Sequence, residues 1–162
     1  MIERIKVGMA DLNVVKSPGI LVTLGLGSCV GIALYDEHVK VAGLSHIMLP
    51  SSKVIKNNQN RAKFADTAIL LLIEKMLDMG AKKDRLKAKI AGGAQMFTSA
   101  TNDNNLLKIG ERNVISTLEV LDSLNIPVIA QDTGGNYGRS IELYAETGVL
   151  LVKTIGHGIK EI

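Results

Sequence analysis

Leu21-Val-Thr-Leu-Gly-Leu-Gly-Ser-Cys29, running on through Val30 to Pro50, is the stretch that decides how the rest of this chain is read. It holds the only cysteine and, at His46, one of the three histidines. Val30-Gly-Ile-Ala-Leu-Tyr35 is a short apolar run bounded by Gly and Asp. Asp36-Glu-His-Val39 reads as a turn, and Val41-Ala-Gly-Leu-Ser-His-Ile-Met48 is a second apolar run. Two such runs around a polar turn predict a β-hairpin, here without the favoured Asn-Gly turn.

The hairpin carries a geometric expectation. Facing residues of an antiparallel pair have a constant sum of numbers. A turn centred between Glu37 and His38 pairs Asp36 with Val39 and, continued outward, sets Cys29 opposite His46. Directly facing Cβ atoms lie about 4.5–5.5 Å apart. An odd loop or a bulge would move the two side chains to opposite faces. An imidazole beside a thiol can take its proton, and the thiolate is the nucleophile. Gly25-Leu-Gly-Ser28 just ahead allows a sharp strand-end turn, which can expose the thiol and aim backbone N–H groups at a developing oxyanion. The same residues also read as an inert core thiol among Leu, Val and Ile, with a structural histidine at a strand end.

Composition narrows the function classes. The chain has 162 residues, enough for one domain over 1–162 with a sizeable core, and no repeat or linker divides it. Aromatics are 3% with no Trp, so the core is aliphatic and stacking platforms for single-stranded nucleic acid are few. A net charge of +3 on dispersed lysines is not a nucleic-acid footprint. One cysteine excludes an internal disulfide and a Cys-cluster metal site. No apolar run approaches the roughly 18 residues of a membrane span, and Met-Ile-Glu-Arg-Ile-Lys6 is not laid out as a signal peptide. These features predict a cytoplasmic protein that is not membrane-embedded.

Outside the hairpin, strands are expected over 2–12, 20–25, 86–90, 128–131, 140–146 and 149–154, and 51–63 reads as an exposed loop. Helical spacing of Ala65, Ala68, Ile69, Leu72, Ile73, Met76 and Leu77 predicts a helix over 61–79. A second helix is predicted over 113–124, stopped by Pro127. Phe97 reads as a docking anchor or as a core cap, and Asn102-Asp-Asn-Asn105 as a turn. Arg139, after the Asp132–Gly138 glycine-rich loop, reads as a phosphate ligand or as part of a structural turn. His157 falls in a tail, and His38 in the first turn. About seven strands and two helices, with hairpins dominating, predict an α/β fold of mixed sheets in two packed layers, not a doubly wound parallel sheet.

Five segments together resemble a known family. Leu24-Gly-Leu-Gly-Ser-Cys-Val30, His46-Ile-Met-Leu-Pro50, Ala88-Lys-Ile-Ala-Gly-Gly-Ala94, Ile109-Gly-Glu-Arg-Asn113, and Asp132-Thr-Gly-Gly135 with Arg139-Ser140 look, in order, like the motifs of CheD, the chemoreceptor glutamine deamidases. The resemblance implies a four-layer α/β/β/α sandwich like that of the cytotoxic-necrotising-factor-like cysteine hydrolases. It implies Cys29, His46 and Thr23 as the catalytic set, with the N–H groups of Ser28 and Cys29 as candidate oxyanion donors. The implied substrate is a Gln side chain of a methyl-accepting chemotaxis receptor, with glutamyl methyl esters hydrolysed by the same chemistry and no cofactor. A CheC-type phosphatase is the implied partner. The alternative is a non-catalytic regulator of that phosphatase.

Overall fold

A computed structural model describes residues 2–96 and 108–162. Phe97 and the Asn102–Asn105 turn lie outside the described residues. Among the described residues, ten strands form two five-stranded mixed sheets. The first sheet has the order β1-β3-β8-β9-β10. Its members are β1 (Arg4–Lys6), β3 (Ile20–Leu26), β8 (Arg139–Tyr144), β9 (Leu150–Thr154) and β10 (Gly158–Glu161). The second has the order β2-β5-β4-β6-β7. It contains β2 (Asp11–Lys16), β5 (Val41–Ile47), β4 (Val30–Asp36), β6 (Lys87–Gly92) and β7 (Val128–Thr133). Two helices, α1 (Ala65–Asp78) and α2 (Ile109–Ser123), complete the described elements of length.

Alternation sorts the side chains into two cores. Leu21, Ala33, Leu44, Ile141, Leu143 and Val152 point into the space between the sheets. Val30, Ile32, Leu34 and Ile47 point the other way, against Leu72, Met76 and Leu121 of the helices. The inner strands β4 and β5 are therefore covered on both faces, which is why they read as near-continuous apolar runs. Both helices sit on the second sheet, so the described residues form three layers, helix on sheet on sheet. A helical layer outside the first sheet, expected from the resemblance, is not found among them. On that outer face Leu24, Ile155 and Ile159 are exposed.

Several boundaries differ from the expectation. The strand expected over 2–12 is broken by a turn at Met9–Ala10, with Ala10 at φ 58°, and its halves join different sheets. The tail holding His157 forms β10, antiparallel to β9, and His157 stacks on Tyr137 at 4.2 Å. α1 starts at Ala65, because Asn60 caps a separate 3-10 turn at Arg61–Lys63 and Phe64 is extended. Its apolar face is buried except for Leu77, 43% exposed. α2 starts four residues earlier than its apolar spacing suggests, and it is the crossover between the parallel strands β6 and β7. The hairpins β4–β5 and β8–β9 form as expected.

Candidate active site

The β4–β5 hairpin is two residues longer in its turn than the sequence reading assumed. Asp36 pairs with Val41, and Gly31, not Cys29, faces His46. The Asp36 carboxylate accepts from the N–H groups of His38 and Val39, and Lys40 closes the loop at φ 53°. Arg85 and the Lys82 N–H also bind that carboxylate. Its burial alone would raise the pKa, but these hydrogen bonds outweigh it and hold the group below its usual value. The facing sum is thus two larger than expected. Because strand side chains alternate with a period of two, Cys29 still shares a face with His46. Cys29 itself lies one residue beyond the last ladder pair, Val30 and Ile47, and its side chain packs in the core between the sheets.

Thr23 reaches His46 from the other sheet. Gly31 lets the sheets approach here: a Cβ on it would lie 2.5 Å from Ile141 Cδ1. The Thr23 hydroxyl lies 2.7 Å from His46 Nδ1 and donates to the Val7 carbonyl oxygen at 2.7 Å. A hydroxyl has one hydrogen. With that hydrogen on Val7, the oxygen must accept from Nδ1–H. Nε2 of the neutral ring then carries the lone pair, and it has no hydrogen-bond partner. His46 and Thr23 are both fully buried, and burial lowers the His46 pKa. The ring is therefore a neutral base at neutral pH.

Cys29 sits in the bend Gly27–Cys29 between β3 and β4. Just before it β3 bulges: Thr23 faces Ile141 and Leu26 faces Arg139, with Gly25 at φ 72°. The bulge turns Leu26 back into the core and sends the chain across to the second sheet. Cys29 is 7% exposed and packs in the inter-sheet core. Burial raises the thiol pKa, partly offset by the residue's own N–H. Thiol and imidazole are thus both neutral at rest.

The bend is held from three sides. The Cys29 carbonyl accepts from Gly93 N–H at 2.8 Å, and the Gly27 carbonyl from Ala94 N–H at 2.8 Å. Gly92, at φ 109°, permits that approach, since a Cβ there would stand 2.3 Å from the Cys29 oxygen. Arg139 is not a phosphate ligand. Its guanidinium is buried, pairs with Asp132 and donates to the carbonyls of Gly134 and Gly92. Asn113 of α2 donates to the Ser28 carbonyl at 2.9 Å and the Met48 carbonyl at 3.0 Å. Sequence reasoning gave Asn113 no role, although it lies in a quoted motif and Asn is a poor residue for a helix interior. Among the described residues, no three His, Cys, Asp or Glu side chains gather to hold a metal ion.

Comparison with known proteins identifies the family. Residues 48–154 match the family described as CheD chemotactic sensory transduction. A "Probable chemoreceptor glutamine deamidase CheD" of Caldanaerobacter subterraneus subsp. tengcongensis is 65% identical over 158 residues, covering 98% of this chain and 97% of that protein. The chain belongs to the CheD family. A CheD protein of Lachnoclostridium phytofermentans is 58% identical, covering 99% of each chain. The "Chemoreceptor glutamine deamidase CheD" of Halalkalibacterium halodurans is 53% identical with full coverage of both.

Proposed function

We propose that this CheD chain is a cysteine hydrolase that deamidates glutamine side chains of methyl-accepting chemotaxis receptors. The observation that carries the reading is the Val7–Thr23–His46 chain of hydrogen bonds, which leaves Nε2 as a buried base with no partner. Cys29 is the nucleophile. Its sulfur bonds to the carboxamide carbon while its proton passes to His46 Nε2. The Ser28 and Cys29 N–H groups are the donors for the oxyanion. The C–N bond then breaks, and the Nε2 proton leaves with the nitrogen as ammonia. A water adds to the thioester, giving a proton to Nε2; the C–S bond breaks, the sulfur regains its proton, and Glu remains. Thr23 is the neutral group that fixes the ring.

A glutamyl methyl ester differs only in its leaving group, so the same residues release methanol from it. The pair of packed sheets and the helical layer on one of them support the shared part of a cytotoxic-necrotising-factor-like sandwich, whose second helical layer is not among the described residues. No described helix is long and apolar enough to cross a membrane, and the proposed setting is cytoplasmic. A CheC-type phosphatase is the proposed partner.

The test is turnover of a receptor fragment, read as ammonia release and a Gln-to-Glu mass shift. Cys29→Ala is expected to abolish it. Full activity in that variant would refute Cys29 as the nucleophile, and no turnover by the parent chain would favour a purely regulatory role.

A further inference from the structure

The described residues that contact the Cys29 bend include one polar side chain that the mechanism above does not use. Asn113 is fully buried on α2, and it reaches across 85 residues of sequence to Ser28 and 65 to Met48. Both partners are carbonyl oxygens, so both contacts require the NH2 end of the carboxamide, and its orientation is decided. Its two hydrogens are used where the β4–β5 ladder has run out, beyond the last pair Val30 and Ile47. One anchors the residue before the thiol. The other anchors the strand end two residues past His46. The carboxamide oxygen is left buried without a partner. A helix residue that leaves its own acceptor unsatisfied to hold two loop carbonyls is placed for those carbonyls.

The consequence lies in one peptide group. The Ser28 carbonyl and the Cys29 N–H share a peptide plane, and this bond is trans, the one described cis bond being Ser17–Pro18. In a trans peptide C=O and N–H point in opposite directions. Holding the carbonyl towards α2 therefore turns the N–H away from it. That N–H also offsets part of the effect of burial on the thiol. Turned away from α2, it is free to donate to the oxyanion of a tetrahedral adduct of Cys29.

We propose that Asn113 is the positioning residue of the oxyanion site: by fixing the Ser28–Cys29 peptide it aims the Cys29 N–H at the developing charge. The proposal rests on Cys29 being the nucleophile. It makes a distinction between two reactions of one thiol. Deamidation builds an oxyanion; alkylation by iodoacetamide displaces iodide at carbon and builds none.

The experiment measures both on Asn113→Ala. The expected result is a kcat for a receptor glutamine peptide about 10- to 100-fold lower, with KM within about threefold, a share of the loss seen when one oxyanion donor is removed. The rate of alkylation at Cys29 stays within about threefold and its pH profile moves only slightly upward, because the sulfur and His46 keep their places and only the smaller effect of the Cys29 N–H on the thiol is disturbed. A parallel fall in alkylation would overturn the proposal by showing that Asn113 holds the thiol itself. So would a kcat within about twofold of the parent with only the melting temperature lowered. Asn113→Asp, close in volume, repeats the test if the alanine variant does not fold. Its carboxylate, facing two carbonyls, is expected to lose at least as much kcat. Cys29→Ala is run alongside: turnover there would sink the nucleophile reading independently of any result at position 113.

Discussion

Replacing Thr23 by Val tests the ring-orienting role with almost no change of shape. The hydroxyl makes two hydrogen bonds, one accepted from His46 Nδ1–H and one donated to the Val7 carbonyl. Thr23→Val removes both, while the imidazole stays in a fully buried site. Leaving a buried donor or acceptor without its partner costs about 1–3 kcal/mol. Two such groups set the expected loss of folding stability at about 2–4 kcal/mol after partial relaxation. The catalytic effect comes from the donor alone. With nothing to accept from Nδ1–H, the tautomer that leaves Nε2 free loses the same 1–3 kcal/mol of preference, which is about 5- to 150-fold in kcat. Thr23→Ser keeps the oxygen and is expected to recover most of that loss. The assay is ammonia release from a receptor glutamine peptide at a temperature where each variant is folded. The slope of Cys29 alkylation against pH is read beside it. A Val variant within about twofold of the parent kcat, or a Ser variant as impaired as the Val one, would refute the reasoning.

Two further perturbations follow from the same geometry. Burial lowers the His46 pKa below 6.5, so kcat/KM is expected to rise with pH on a limb centred below that value; a limb centred at or above it contradicts a neutral buried base. The same shift gives a stability dependence of defined sign. Between the native pKa and 6.5 the unfolded chain binds a proton that the native ring refuses, so the urea midpoint should climb through that window and His46 should add no slope above it. Gly92→Ala would place a Cβ 2.3 Å from the Cys29 oxygen at a φ of 109°. It is expected to cost about 2–4 kcal/mol, with more than a tenfold fall in kcat of the folded fraction, read by urea titration and steady-state turnover. Parent-like values of both would show that the Gly92–Cys29 contact is dispensable.

How far the sequence could be read depends on the kind of information each feature carries. α1 and the hairpins are periodic, and their apolar spacing is visible in any short window. The break between β1 and β2, the strand at Gly158–Glu161 and the early start of α2 are not periodic. The β1–β2 break and the start of α2 are set by partners distant in sequence, such as Ile20–Val22 beside β1 and the Gly93–Ala94 backbone against Gly110, while β10 pairs with the neighbouring β9 but is exposed along its length and carries no apolar pattern. The register of Cys29 and His46 lies between these cases. The turn was centred one residue too early, because the Asp36 carboxylate gathers the next N–H groups into a longer loop. That displaced the facing partner by two and preserved the face. An even error in a strand always does this: which side chains share a compartment survives it, and which of them touch does not. The Thr23 contact is a step further away, since it crosses between sheets and no strand pairing encodes it; its assignment came from motif resemblance. Asn113 is the remaining case. Gly110, Asn113, Thr117 and Leu121 are buried along one stripe of α2, and a helix stripe with two polar members reads as the wrong face for a core. It is the core-facing side nonetheless, because what it covers includes the unpaired carbonyls at the end of a sheet, and those call for donors rather than for hydrocarbon.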